Sequence, residues 1–208
     1  MKELFITNVG SHMWQMDHPG SDIDLFIAVL APTNAVLRGE INPDVSWVNY
    51  TGAKDQNYHE LGRIVQQALK GNWNYLSGVM SPIVLKDWEH LAELRRLTER
   101  NYSKQCYYSI KGLAEHNYRK YVINERDDSE KRCNTIARTV LMGCRLLEKG
   151  LIEYTPVKGT KPQDIPMLIQ ALDSAYKESK LPENPQHEDE LRSFLLKRRV
   201  EDLDETRK

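Results

Sequence analysis

Near the N-terminus, apolar and polar residues alternate along the chain in a way that predicts β-strands. Residues 4–9 are a short strand candidate that begins with the apolar run 4–6, and residues 22–29 carry an aliphatic side chain at every second position. This alternation lets a strand bury one face of a sheet. Residues 45–50 are rich in β-branched and aromatic types, which strands favour. We therefore predict three strands in the N-terminal quarter of the chain.

From residue 58 onward the apolar spacing becomes helical. Asn57 followed by Glu60 matches a capping box, and the apolar stripe behind it ends at Gly71. Ser103 and Ser129 can each cap a later helix. The later predicted helices span residues 86–100, 103–123 and 129–150, followed by two whose first turns hold Pro162 and Pro185.

This order of elements predicts an α+β fold, with a small sheet first and a C-terminal helical bundle after it. A chain of 208 residues suits one domain or two small ones packed together. We place the boundary so that residues 1–85 form the sheet-containing core and residues 86–208 form a helical region. In such a division one part commonly contains the catalytic residues and the other part binds the substrate.

Composition excludes several classes of protein. With 40% hydrophobic and 28% charged residues the chain can bury a core. No apolar run approaches the roughly 20 residues of a membrane span, and the start of the sequence lacks a signal-peptide pattern. Three cysteines without Cys-x-x-Cys spacing argue against a disulfide framework and a zinc site. We expect a cytoplasmic protein with no membrane partner; the composition does not indicate an oligomeric state.

Charge is distributed unevenly although the formal net charge is only −1. Residues 95–126 contain eight lysines and arginines against three glutamates, a local charge of about +5, with five tyrosines interleaved. Basic and aromatic side chains together suit a phosphate backbone and stacked bases. The same pattern is typical of a solvated helix face with half-buried tyrosines, so both interpretations stand.

The chemistry that the sequence suggests lies in the stretch "NVGSHMWQMDHPGSDIDL", residues 8–25. Gly10 and Ser11 resemble the remnant of a cleaved purification tag, but they can also form a sharp turn that holds an anion through its amides and hydroxyl. Asp22 and Asp24 are two residues apart on a predicted strand, about 7 Å along it, and point to one face. Paired carboxylates suit Mg²⁺ or Mn²⁺. An ordinary turn and a charged strand edge are the alternatives.

Gly10-Ser11 followed by "GSDIDL", residues 20–25, resembles the signature of the DNA polymerase β nucleotidyltransferase superfamily: Gly-Ser, about ten residues, then Asp-x-Asp. Gly-Ser is then a natural motif. Residues 54–82 resemble a subfamily of predicted nucleotidyltransferases, which read Asp, three residues, His or Tyr, Glu, Leu, then a helix ending in Lys-Gly-Asn-Pro. Trp73 stands where that subfamily has proline, and Ser77 where glutamate is common.

The resemblance implies a mixed-sheet nucleotidyltransferase core and a set of site residues. It places the third carboxylate of the superfamily on Asp55. Asp22 and Asp24 would bind two Mg²⁺ or Mn²⁺ ions, and Asp55 would join them at the catalytic ion. Gly10 and Ser11 would hold the phosphates of a nucleoside triphosphate, such as ATP. A nucleoside monophosphate would pass to a hydroxyl acceptor, with release of pyrophosphate.

The acceptor is the least constrained part of this hypothesis. The basic, tyrosine-containing segment favours RNA or a tRNA 3′ end, with Lys104, Lys111 and Arg138 as the first candidates for phosphate contact. Nucleotidylation of a protein, such as a toxin, or of a small molecule is the alternative. A nucleotide-binding regulator without turnover is a third class. For His59 and Glu60 we expect structural roles, although His59 could touch the substrate.

Overall fold

Five strands form one open mixed sheet in the part of the chain that the computed structural model describes, residues 1–51, 54–124 and 126–205. The strands are β1 (Lys2–Asn8), β2 (Ile23–Leu30), β3 (Ser46–Thr51), β4 (Lys54–Glu60) and β5 (Val84–Lys86). Their order in the sheet is β3-β4-β2-β1-β5. The central strands β2 and β4 run parallel, and the other neighbouring strands are antiparallel.

Helices follow and cover the sheet. They are α1 (Gly10–Met13), α2 (Thr33–Leu37), α3 (Leu61–Leu69), α4 (Trp73–Met80), α5 (Leu91–Glu99), α6 (Gln105–Asn117), α7 (Glu130–Lys149), α8 (Ile165–Glu178) and α9 (Glu188–Glu205). A π-helical segment, Tyr118–Ile123, continues α6. The predicted α+β class, with a mixed-sheet core and a helical C-terminal part, is confirmed.

Several predicted helix boundaries are wrong, and each error has a local cause. Asn57 lies in β4, so no capping box forms; Glu60 itself is the N-cap of α3 and accepts the amide of Gly62 at 2.6 Å. Residues 84–86 form β5 because they pair with β1, so the next helix begins later, at Leu91. Pro185 precedes α9, which begins three residues beyond it.

Other predicted boundaries agree with the structure. The Ser129 hydroxyl accepts the amide of Arg132 at 3.3 Å and caps α7. Gly150 ends α7 with φ of +68°, a left-handed conformation that glycine adopts without a steric cost. Pro162 begins the 3₁₀ turn Pro162–Asp164 that leads into α8.

The alternation in β2 separates two sets of buried side chains. Phe26, Ala28 and Leu30 join the main core beneath the helices, whereas Leu25, Ile27 and Val29 form a small cluster on the opposite face of the sheet. The main core runs without interruption from the first strand to α9. The division at residue 85 therefore stays a prediction. No helix in the described ranges combines the length and apolar character that a membrane crossing requires.

Candidate active site

Two of the predicted carboxylates lie side by side at the start of the central parallel strands. The register of β2 and β4 pairs Asp24 directly with Asp55. Neighbouring strands lie about 4.8 Å apart, and directly paired residues project from the same face. Asp22 is exposed and lies just before β2. It is two positions from Asp24, so the alternation of side chains along the strand places both on the same face. The sheet therefore brings Asp55 to the Asp-x-Asp motif across 31 residues of sequence.

Gly10 lies directly against Asp24. Its φ is +65°, and a Cβ atom at this position would come within 1.9 Å of the Asp24 Oδ2 atom. The neighbouring amide of Val9 donates to the Asp24 carbonyl oxygen at 2.8 Å, which joins the turn to β2. Both the backbone conformation and the close approach require glycine. Ser11 is the next residue, partly buried in the one-turn helix α1.

The electrostatics of Asp24 show how close the acidic groups are. Burial raises the pKa of the Asp24 carboxyl, and the negative charges of Asp55 and Asp22 raise it further. Arg138 and His12 act in the opposite direction and lower it. Negative charge is thus concentrated at this end of the sheet, with one arginine facing it.

The donor chemistry of the three carboxylates fits a hard divalent cation, which would relieve the mutual repulsion of Asp22, Asp24 and Asp55. Within the described ranges, however, no three acidic, histidine or cysteine side chains are already gathered as a metal-binding group. A shared site for all three carboxylates therefore stays a prediction. The backbone register favours Asp24 and Asp55 as its fixed pair.

Arg138 projects from α7 into a cleft of about 580 Å³ that is also lined by Gly10 and Asp24. Its guanidinium carbon lies 5.3 Å from the centre of the Trp14 ring, a cation–π distance. Burial lowers the pKa of Arg138 to about 10, while Asp24 opposes that shift, so the side chain is charged at neutral pH. Its Nε atom is buried and has no hydrogen-bond partner among the described residues. A buried cation with an unused donor is suited to bind a phosphate.

Aromatic side chains form one wall of the cleft. Trp14, directly after α1, packs edge-on against Tyr154 at 5.1 Å and at a tilt against Trp73 at 6.3 Å. Trp73 and Ser77, which depart from the subfamily pattern, both serve this packing. The Trp73 amide donates to the Ser109 hydroxyl at 2.9 Å, and the Ser77 carbonyl accepts the Tyr154 hydroxyl at 3.2 Å.

His59 and Glu60 follow Asp55 along β4 and have different surroundings. His59 lines the cleft, with its ring stacked on Phe26 at 4.4 Å and edge-on to Tyr75 at 4.8 Å. Glu60 is fully buried and accepts hydrogen bonds from the amides of Ala31 and Gly62. The expected structural role of Glu60 agrees with these contacts.

The other two candidate phosphate contacts lie away from the cleft lining. Lys104 is paired with Glu183 at 2.7 Å, with only 17% of its side chain exposed. Lys111 binds Asp173 at 2.8 Å and also donates to the Tyr107 hydroxyl at 3.1 Å. Of the three, Arg138 lines the cleft together with Asp24 and interacts electrostatically with it. Contact of Lys104 and Lys111 with RNA stays a prediction.

Trp14 and His12 are parts of this site that were not predicted from the sequence. The signal was their position just behind Gly10-Ser11, within or next to a one-turn helix that cannot carry them far from the motif. His12 pairs with Asp17 at 3.4 Å and lowers the pKa of Asp24. Trp14 supplies the ring on which Arg138 rests.

Comparisons with known proteins come from three sources. A model of the RNA repair pathway DNA polymerase beta family matches residues 1–207. Among curated proteins, none matches the chain. A solved structure of a nucleotidyltransferase-like protein from Exiguobacterium sibiricum 255-15 is similar over 85% of this chain and 69% of that chain, with 10% sequence identity and a TM-score of 0.34.

Proposed function

The chain belongs to the RNA repair pathway DNA polymerase beta family and is a polymerase β-like nucleotidyltransferase; from this premise we propose that it transfers a nucleoside monophosphate from a nucleoside triphosphate to the 3′ hydroxyl of an RNA. The observation that carries this proposal is the pairing of Asp24 with Asp55 beside the Gly10 turn. Acidic residues at one end of the central strands are suited to bind the cations of a triphosphate, and the arginine that faces them is suited to bind its phosphates.

In the proposed reaction the oxygen of the acceptor hydroxyl forms a bond to the α-phosphorus. The bond from that phosphorus to the bridging oxygen breaks, and pyrophosphate leaves. Asp55 is the proposed acceptor of the hydroxyl proton, with Asp22 and Asp24 as the further cation ligands. Bound Mg²⁺ or Mn²⁺ would neutralise phosphate charge and lower the pKa of the hydroxyl.

The residues of this chain would contribute mainly position and charge. Gly10 lets the Asp24 carboxylate lie directly against the turn, because a Cβ atom at this position would overlap the Asp24 Oδ2 atom. The Ser11 hydroxyl would donate to the β- or γ-phosphate. Arg138 would contact the same phosphates from α7. Its unpaired Nε atom and its positive charge would replace the hydration that the phosphates lose in the cleft.

Two observations support RNA as the acceptor. The family belongs to an RNA repair pathway, and the segment of residues 95–126 carries a local charge of about +5 with five tyrosines. The acceptor 3′ end must reach Asp55, which is paired with Asp24 of the cleft lining.

The test is transfer of label from α-labelled nucleoside triphosphates, with Mg²⁺, to RNA pools, to candidate proteins and to the enzyme itself. Asp22→Ala combined with Asp24→Ala should lower transfer at least ~10²-fold, because each carboxylate contributes to charge neutralisation in the transition state. Asp189→Ala removes an exposed carboxylate of α9 and serves as the matched control.

The fold of the double variant should persist, since removing two mutually repelling carboxylates costs little packing; circular dichroism and thermal melting check this. Unaltered transfer by a folded double variant would show that the chemistry lies elsewhere. Label that enters only protein would replace the RNA acceptor with a protein acceptor.

A further inference from the structure

A shallow groove of about 430 Å³ lies on the outer side of α6 and the π-helical segment, separate from the cleft. We call it the basic groove, and it is lined by Gly112, His116, Arg119, Lys120, Asn124 and Arg126. Glu115 is the acidic residue in its lining. The groove is therefore open, polar and positively charged.

The basic groove and the active-site cleft lie on neighbouring sides of α6. Leu113 and Asn117 of α6 line the cleft, and Gly112 and His116, one position earlier, line the groove. Successive residues of a helix are about 100° apart around its axis. An RNA strand whose 3′ end lies in the cleft can thus continue over α6 into the groove without leaving the protein surface.

Ion pairs leave the groove with excess positive charge. Glu115 lies 3.3 Å from Arg119 and 3.8 Å from Lys111, so one carboxylate is shared between two cations. The Arg119 side chain is 71% exposed, and exposed pairs of this kind contribute little energy. The groove cations therefore differ from Lys104, which is largely buried in its pair with Glu183.

The π-helical segment adds an aromatic group beside these cations. The Tyr121 ring has the ammonium of Lys120 at 5.0 Å and the guanidinium of Arg132 at 3.8 Å from its centre. Basic side chains next to a tyrosine ring are the combination that binds single-stranded nucleic acid, with phosphates on the cations and bases on the ring. Such π-helical turns are rare and often lie at functional sites.

We propose that the basic groove binds the sugar-phosphate backbone of the RNA acceptor upstream of its 3′ end. This inference rests on the proposed function, because it assumes that the acceptor end lies at Asp55. Arg119, Lys120 and Arg126 contact consecutive phosphates, which makes the contact independent of base sequence. The groove holds the strand while the end is aligned in the cleft.

The test is binding of a short fluorescent single-stranded RNA to the full chain, measured by anisotropy at two salt concentrations without nucleotide or Mg²⁺. Arg119→Gln combined with Lys120→Gln should weaken binding about tenfold and lower the salt slope by about 1.4, since each phosphate contact on a single strand contributes about 0.7. Lys104→Gln combined with Lys111→Gln removes the same charge at positions outside the groove, where the cations are paired with Glu183 and Asp173, and should have a smaller effect on both quantities.

Wild-type affinity and slope in the groove variant would overturn the inference, as would an equal loss in the Lys104 and Lys111 variant. Competition by an acidic protein but not by RNA would also overturn it. RNA binding is measured separately from catalysis, so the two proposals can fail independently. If the Asp22 and Asp24 substitutions abolish transfer but the groove variant binds RNA as the wild type does, the groove proposal alone is rejected. Groove-dependent RNA binding without any transfer to RNA rejects the proposed reaction alone.

Discussion

At the scale of single residues, His59 shows how a buried polar group is tolerated next to an active site. Its imidazole lies between the rings of Phe26 and Tyr75. Burial lowers the pKa of His59 from 6.5 to about 4, and the charge of Arg63 adds to the shift. Its Nδ1 atom is buried without a hydrogen-bond partner in the described part of the chain. The ring is therefore neutral and packs as an aromatic group.

The neutral state of His59 predicts a pH dependence of stability. Between about pH 6.5 and pH 4 the unfolded chain binds a proton at this position and the folded chain does not, so the free energy of unfolding falls as the pH is lowered through that window. One proton gives a slope of at most about 1.4 kcal/mol per pH unit. Urea denaturation across the window measures it.

His59→Tyr, which introduces the other residue found at this position in the subfamily, should reduce that slope by removing the titrating group. His18→Tyr changes an exposed histidine and is the control, for which the wild-type slope is expected. Equal slopes in the wild type and the His59 variant would contradict the assignment.

At the scale of elements, the packing of α4 on the sheet depends on Gly78. A Cβ atom at Gly78 would lie 2.2 Å from the Phe26 ring. That ring cannot move aside easily, because Phe5, His59 and Tyr75 surround it. The helix also accepts a hydrogen bond from the Thr7 hydroxyl at the Gly78 carbonyl, 2.7 Å long. Gly78 therefore sets how closely α4 approaches β1 and β2.

Gly78→Ala should destabilise the protein by about 1–3 kcal/mol, because the forced shift of the helix or of Phe26 outweighs the gain in helix propensity. Gly112→Ala in α6 is the matched control: nothing lies within 4 Å of its added Cβ atom, so it should stabilise by about 0.5–1 kcal/mol. Chemical denaturation measures both. Similar changes of the same sign in the two variants would disprove the close-approach argument.

At the scale of the whole molecule, Glu60 connects the sheet to the last helix. Its carboxylate is fully buried, caps α3 and forms an ion pair with Arg199 of α9. Arg199 also donates to the Ala31 carbonyl at 2.8 Å, just after β2. Apolar residues of α9, among them Leu191 and Phe194, complete the main core. The C-terminal helix therefore belongs to the structure that supports the strands carrying Asp24 and Asp55.

Glu60→Ala should lower the free energy of unfolding by about 3–5 kcal/mol, because it leaves the largely buried Arg199 without its carboxylate and removes the α3 cap. Glu188→Ala breaks the exposed pair with Arg192 on the same helix and should cost less than about 1 kcal/mol. The comparison is made by urea denaturation. If the two substitutions have equal effects, the buried pair does not connect α9 to the core.

The sequence by itself determined the features that depend on neighbours along the chain. The alternation in β2 predicted a strand, although both of its faces are buried and the main core takes Phe26, Ala28 and Leu30; the Ser129 cap and Gly150 end of α7 were predicted, and the Gly10-Ser11 motif led to the right superfamily. These signals are local because each involves only a few consecutive residues. They are the hydrogen bonds that cap helices, the backbone conformation at glycine, and the periodic spacing of apolar side chains.

Only the tertiary structure decided what depends on residues distant in sequence. The parallel register that pairs Asp24 with Asp55 arises from packing of the central strands, and the strand pairing of β5 overrode a helical pattern. Arg138 faces the carboxylates because α7 packs over the cleft, whereas Lys104 is drawn into a pair with Glu183. Charge counted along a sequence includes every basic residue, but the fold decides which of them meet acidic partners and which remain available to a substrate.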